Sequence, residues 1–355
     1  MSSRSNGRPN ERLRALLFVA ALAASFACKS GPPDETPTAT RPATASPAAG
    51  SSIAPTPAAP IDVCPELLSG AAAPAIRPAD AAIRFVAFGD FGDGSVAQFA
   101  VARAMAKYDV GKPFDFGVTL GDNFYPEGLA DPASPRWKTE WERPYGPLGV
   151  RLYASLGNHD RYDPASPAAE MARSKKSASW CLPRPYYTFT AGPVQFFALD
   201  TDPIERQEDP AEITEQLAWL DRELGASTAR WKVAYGHHPI HSSGAGHGES
   251  PQQKAALLPI FEKHHVALYL AGHDHHMELQ RPEGGVAFVI SGAGGHEQRA
   301  VDVQSNCVAW AAGLKPGFAV LDADAQRIAV EFLDTENTIL FRSEIRPGPG
   351  RDCAR

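Results

Sequence analysis

The chain has 355 residues, 43% of them hydrophobic and 21% charged. That is globular composition, enough for one large domain or two modest ones, and it excludes collagen-like, coiled-coil and wholly disordered chains. With 34 basic against 41 acidic side chains the formal charge is −7, so the cationic excess that phosphate-backbone binding draws on is missing and no nucleic-acid partner is expected.

Arg4, Arg8, Arg12 and Arg14 precede an apolar run from Ala15 to Ala27, broken only by Ser25 and followed at once by Cys28. A basic flank and a short apolar run are the layout of a secretory signal peptide, and the run falls short of the roughly 20 residues that span a bilayer as a helix. Ala27-Cys28 resembles the cleavage point of bacterial lipoproteins, which makes residues 1–27 a signal peptide, Cys28 the lipidated residue and a lipid anchor the only membrane contact; plain secretion is the alternative. Loss of residues 1–27 removes four Arg and one Glu and leaves an acidic, exported chain. Lys29 to Pro60 then holds eight Pro, eight Ala and nine Ser or Thr with no aromatic side chain. Such a segment cannot bury enough apolar area to offset its ordering entropy, so residues 28–60 are expected to be a disordered tether.

Residues 61–355 read as one domain. Ile83 to Phe88 is a buried-strand run closing on Gly89-Asp90, and Val96 to Tyr108 has helical spacing. The same closure recurs where Phe114 to Leu120 ends in Gly121-Asp122 and Arg151 to Leu156 in Gly157-Asn158. Further strands are expected at Pro193 to Leu199, Trp231 to Tyr235, Val266 to Leu270 and Val286 to Ile290, with helices at Ile213 to Leu224 and Pro251 to His264. This alternation is α/β. Gly317 to Leu321, Arg327 to Leu333 and Thr338 to Ile345 read as antiparallel strands, expected to form a second sheet packed on the first. Tyr125 to Tyr145 and Tyr162 to Pro185 read as loop-rich material over a site. With Cys28 lipidated, Cys64, Cys181, Cys307 and Cys353 remain, enough for two disulfides in an oxidising compartment. The pairing expected is Cys64 with Cys353, joining the domain's ends, and Cys181 with Cys307.

The strand ends supply, in order, GDFG with Asp90, GDNFY with Asp122 and Tyr125, GNHD with Asn158 and His159, GHHP with His237 and His238, and GHDH with His273 and His275. Each opens on Gly, which permits the sharp turn that aims the next side chain out from the carboxyl end of its strand, where open α/β sheets form their ligand crevice. Carboxylates, an amide, a phenol and imidazoles together suit hard or borderline metal ions and are too many for one tetrahedral zinc. Two ions about 3.5–4 Å apart, bridged by one carboxylate, account for the set, with Asp122 as the bridge.

These five motifs, in this order, resemble the signature of the calcineurin-like metallophosphoesterases. The Tyr of GDNFY makes the chain similar to the purple acid phosphatases, the small tartrate-resistant type in particular, as does SGAGG at Ser291 to Gly295. The resemblance implies a four-layer α/β/β/α sandwich of two packed mixed sheets with a dinuclear metal site at the strands' carboxyl ends. It implies a ferric ion on Asp90, Tyr125, His275 and bridging Asp122, and a divalent Fe, Zn or Mn ion on Asp122, Asn158, His237 and His273. It also implies hydrolysis of small phosphomonoesters by a metal-activated hydroxide, with His159 at the phosphate or leaving group and His247, in GAGHGES, as a second substrate-facing imidazole.

His238 and His241 stand outside that pattern and are read as structural, as are His264 and His265 at a helix end; His276 and His296 are given no role. Trp137, Trp141 and Tyr145 are read as packing of an excursion loop. A phosphodiesterase or nucleotide phosphatase on the same scaffold is the first rival, and a surface lipoprotein without turnover the second.

Overall fold

The computed structural model describes residues 59–304 and 307–346. The expected signal peptide, Cys28, the tether up to residue 58 and Cys353 lie outside them.

The strands in chain order are β1 (Ile83–Phe88), β2 (Phe116–Leu120), β3 (Leu152–Ser155), β4 (Trp180–Cys181), β5 (Tyr187–Ala191), β6 (Val194–Ala198) and β7 (Trp231–Tyr235). They continue as β8 (Leu268–Ala271), β9 (Met277–Glu283), β10 (Val286–Ser291), β11 (Val308–Ala312), β12 (Gly317–Ala323), β13 (Ile328–Asp334) and β14 (Ile339–Ile345). One sheet has the order β14-β13-β12-β1-β2-β3-β4 and the other β11-β9-β10-β8-β7-β6-β5. In each, a parallel block is flanked by antiparallel strands: β1 to β4 in the first, β6, β7, β8 and β10 in the second.

β1, β2, β3 and β8 are apolar and buried almost throughout, as strands covered on both faces must be. The sheets meet through aromatic rings: Phe196 of β6 lies 5.1 Å from Phe85 and 5.3 Å from Phe116, edge-on to both. Outside the second sheet, Leu220 and Leu224 of the helix Pro210–Ala226 and Leu257 and Phe261 of the helix Pro251–His264 form a separate cluster with Ala234 and Tyr269. On the first sheet the helix Val96–Gly111 buries Val101 and Met105. The architecture is the α/β/β/α sandwich expected.

Two expectations are corrected. The C-terminal strands do not build the second sheet: β12 pairs antiparallel with β1, from Ile83 opposite Ala323 to Ala87 opposite Ala319, and extends the first sheet through β13 and β14. The second sheet is closed instead by β5, β9 and β11. Cys64 pairs with Cys181, the Cα atoms 5.9 Å apart, and not with Cys353. Arg151 brings the two cysteines together, because its guanidinium binds the Asp62 carboxylate and donates to the Trp180 carbonyl at 3.2 Å. Cys181 is therefore not available to Cys307, which precedes β11 at the edge of the other sheet and is itself disulfide-bonded.

The excursion segments carry more order than their sequence promised. Trp137–Glu142 is a π-helical turn, Ser166–Arg173 a helix and Trp180–Cys181 an edge strand. Trp137, Trp141 and Tyr145 are fully buried, so packing is their role. No helix among the described residues is long and apolar enough to cross a membrane.

Candidate metal centre

Five parallel strands of the two sheets end at one place. β1 delivers Asp90, β2 Asp122, β3 Asn158, β7 His237 and β8 His273, and the sheets are tied there by Gly89 N–H donating to the Ser291 carbonyl at 2.9 Å. Asp90, Asp122 and His273 hold φ of 62°, 49° and 69°. Left-handed backbone at non-glycine residues stores strain, and three such residues in one cluster mark a site whose geometry the surrounding structure imposes. The Gly of three motifs leaves room for the donors: a Cβ at Gly157 would sit 2.3 Å from Asp122 Oδ1, one at Gly272 2.5 Å from Asp90 Oδ2, and one at Gly121 2.7 Å from His237 Nδ1.

The side chains form two overlapping groups around Asp122. In one, the Tyr125 hydroxyl lies 3.0 Å from Asp122 Oδ2, 3.4 Å from Asp90 Oδ1 and 3.4 Å from His275 Nε2. In the other, His237 Nε2 lies 3.0 Å from Asn158 Oδ1, 3.1 Å from His273 Nδ1 and 3.3 Å from Asp122 Oδ2. All seven residues named as metal ligands are brought together. His159 lies beside them, its Nε2 4.0 Å from Asp122 Oδ2, its N–H donating to Oδ1 at 2.8 Å, and its side chain partly open to solvent. His247 is an exposed residue at the rim, its ring 4.1 Å from that of His273.

The electrostatics call for a cation. Burial opposes charge on Asp122, yet His237 and His159 outweigh it and hold the carboxyl below its usual range. Burial likewise opposes a charged His237, but Asp122 and then Asp90 lift its imidazole to about 10. The opposite holds for Tyr125, where burial and the same two carboxylates push the phenol up, so only a strongly positive partner can make it a phenolate. His273 is pushed down by burial and by neighbouring imidazoles, which leaves it neutral, the form that ligates. The other ring nitrogens are fixed by carbonyls: His237 Nδ1 by Leu120 O at 2.8 Å and His275 Nδ1 by Glu297 O at 2.7 Å. Such outer contacts orient metal-binding imidazoles.

Four supporting residues sit in or beside a motif; the sequence assigns no role to Asp160, Asp274 and His296, and His238 is read from it as structural. Asp160 of GNHD accepts from the backbone N–H groups of Asn123, Phe124 and Gly157, joining the loops that carry Asp122, Tyr125 and Asn158. Asp274 of GHDH accepts from the N–H groups of His247 and Gly248 and so ties the His247 loop to the His273 turn. His238 is held by Thr201 Oγ1 at 2.9 Å and packs on His273. His296, directly after SGAGG, stacks on Tyr125. By contrast His241 pairs with Glu249 and Glu283, His276 with Glu278 and His264 with Asp221, so none of the three turns toward the donors.

Residues 83–277 match the family model described as calcineurin-like phosphoesterase. The chain belongs to that family. Its place within the family is the purple acid phosphatase branch: it is 30% identical over 297 residues to tartrate-resistant acid phosphatase type 5 of Sus scrofa, covering 74% of this chain and 86% of the relative. Among solved structures, a purple acid phosphatase from yellow lupin seeds is similar with a TM-score of 0.62 at 17% identity, over 76% of this chain and 55% of that one. GAP50, described as the anchor in the inner membrane complex of Plasmodium, has the same fold with a TM-score of 0.67 at 22% identity, over 76% of this chain and 90% of that one. This calcineurin-like phosphoesterase is a dinuclear-metal phosphatase, and its Asp and His donors gather where such a centre belongs.

Proposed function

We propose that the protein is an exported purple acid phosphatase that hydrolyses small phosphomonoesters, tethered to the bacterial envelope through Cys28 or released as a secreted enzyme. The observation that carries the catalytic reading is the convergence of seven donor side chains with Asp122 at their centre, three of the seven on left-handed backbone. Asp90, Tyr125, His275 and Asp122 would hold a ferric ion, because a phenolate and two carboxylates suit a hard trivalent ion. Asn158, His237, His273 and the shared Asp122 would hold divalent Fe, Zn or Mn. When bound, the pair of ions supplies an activated water and neutralises charge on the phosphoryl oxygens.

The remaining work falls to the chain's own groups. His159 would donate a hydrogen bond to a phosphoryl oxygen or the leaving oxygen from Nε2 in its imidazolium form, since its Nδ1–H is already taken by the Pro126 carbonyl at 2.6 Å. His247 stands at the open rim, where a proton can pass to a departing alkoxide. The buried donor shell excludes bulk water on the inner side and leaves the rim as the way in. The complete donor set also weighs against a binding protein without turnover.

Relative rates on an aryl phosphomonoester and its diester test this reading. The monoester should turn over faster, and loss of His159 in His159→Ala should lower kcat by about 100-fold. A strong diester preference would contradict it and favour the phosphodiesterase alternative.

A further inference from the structure

His296 contributes no donor atom to the centre, yet its ring lies face to face with the phenol of Tyr125, the centroids 3.7 Å apart and the planes 19° from parallel. The His159 ring also packs against the phenol, its centroid 4.4 Å away and its plane tilted by 50°. His296 is itself fixed by three contacts. Its N–H donates to the Asp90 carbonyl at 3.0 Å, its Nδ1 lies 2.9 Å from Asp93 Oδ2, and the preceding turn is threaded tightly. A Cβ at Gly294 would meet the Gly89 carbonyl at 2.2 Å, and one at Gly295 the Gln98 backbone at 2.4 Å. Asp93 is anchored in turn, its Oδ1 accepting the N–H of Ser95 at 2.8 Å, and Ser95 caps the helix Val96–Gly111.

A chain of contacts thus runs from a helix N-terminus through Asp93 and His296 to the flat face of Tyr125. Rotation of the phenol about its Cα–Cβ bond would carry its oxygen away from Asp90, Asp122 and His275, and the stacked imidazole opposes that rotation. We propose that His296, held by Asp93, is a positioning residue that sets the angle at which the Tyr125 oxygen meets the ferric ion. This rests on Tyr125 being a ligand. Partners of this outer kind change metal affinity by about 10–100-fold.

A phenolate on Fe(III) absorbs visible light as charge passes from oxygen to metal, and the energy of that band depends on the geometry at the oxygen. The test is the visible spectrum of the oxidised, iron-loaded protein and of His296→Ala, His296→Phe and Asp93→Asn, each checked for folding by circular dichroism. His296→Ala should shift the band and weaken iron retention by about 10-fold. His296→Phe, which keeps a stacked ring, should restore the band, and Asp93→Asn should move it part-way toward the Ala variant. A band unchanged in His296→Ala, or displaced as far in the Phe variant as in the Ala variant, overturns the proposal. Should the Ala variant not fold, Asp93→Asn decides: an unmoved band overturns the proposal and a shifted one supports it. A wild-type protein with iron but no band would instead overturn Tyr125 as a ligand, a separate failure.

Discussion

Asp160 shows how much of the centre depends on a residue that touches no substrate. Its carboxylate is fully buried and takes backbone N–H groups from two loops. Asp160→Ala would strand those donors without water, at about 1–3 kcal/mol each. We expect a lower melting temperature and metal affinity weaker by about 10-fold or more, read by calorimetry with and without added metal; an unchanged protein would mean the loops hold themselves. Asp200 permits a test away from the donors. One of its oxygens is held by Arg161 and the other is buried without a partner, and burial outweighs Arg161 to lift its carboxyl to about 6. The folded state therefore holds the proton more tightly than the unfolded chain, so this contribution is present below about pH 4 and lost as pH rises through 6. Asp200→Asn stays neutral throughout, so stability relative to wild type should move in the variant's favour between pH 4 and 7, by at most on the order of 3 kcal/mol. A difference independent of pH would contradict the assignment.

At the scale of elements, the strands that build the site were legible because each is an apolar run ending on Gly and a polar donor; β1 and β7 lie where the sequence placed them. β9 was missed for a physical reason. Its Glu278 and Gln280 are buried polar residues, tied to one another and to His276, so the strand carries no apolar signature. β4 has only two residues and owes its place to β3 and Arg151. Which sheet β12 joins is likewise invisible locally, since it is apolar on both faces and would suit either sheet. The disulfide belongs to this scale as well: Cys64–Cys181 closes a span of 117 residues that contains β1, β2 and β3. Its removal in Cys64→Ser/Cys181→Ser should cost about 2–5 kcal/mol, measured by denaturant unfolding, while the folded fraction keeps its turnover. Full stability without the bond would show that Arg151 alone secures the edge.

Across the whole molecule, the two sheets are stacked so that the carboxyl ends of their parallel strands open on the same crevice, and neither sheet carries a complete donor set. Asp90, Asp122 and Asn158 come from the first, His237 and His273 from the second, so the centre exists only when both halves are folded and packed. The candidate donors that the structure gathers were legible in sequence as a set while their partners Asp160, Asp274 and His296 were not, because holding a loop leaves no residue-type signature of its own. On the proposed reading, Asp122 joins two ions into one hydrolytic centre. The measurement that tests it most directly is metal content together with aryl phosphomonoester hydrolysis, for residues 61–355 and for Asp122→Ala. Wild-type protein should hold two ions per chain and turn over, with the variant retaining fewer ions and losing at least about 1,000-fold in kcat, as expected when a metal-held nucleophile is lost. Undiminished hydrolysis by the variant, or turnover by wild-type protein holding one ion, would contradict it.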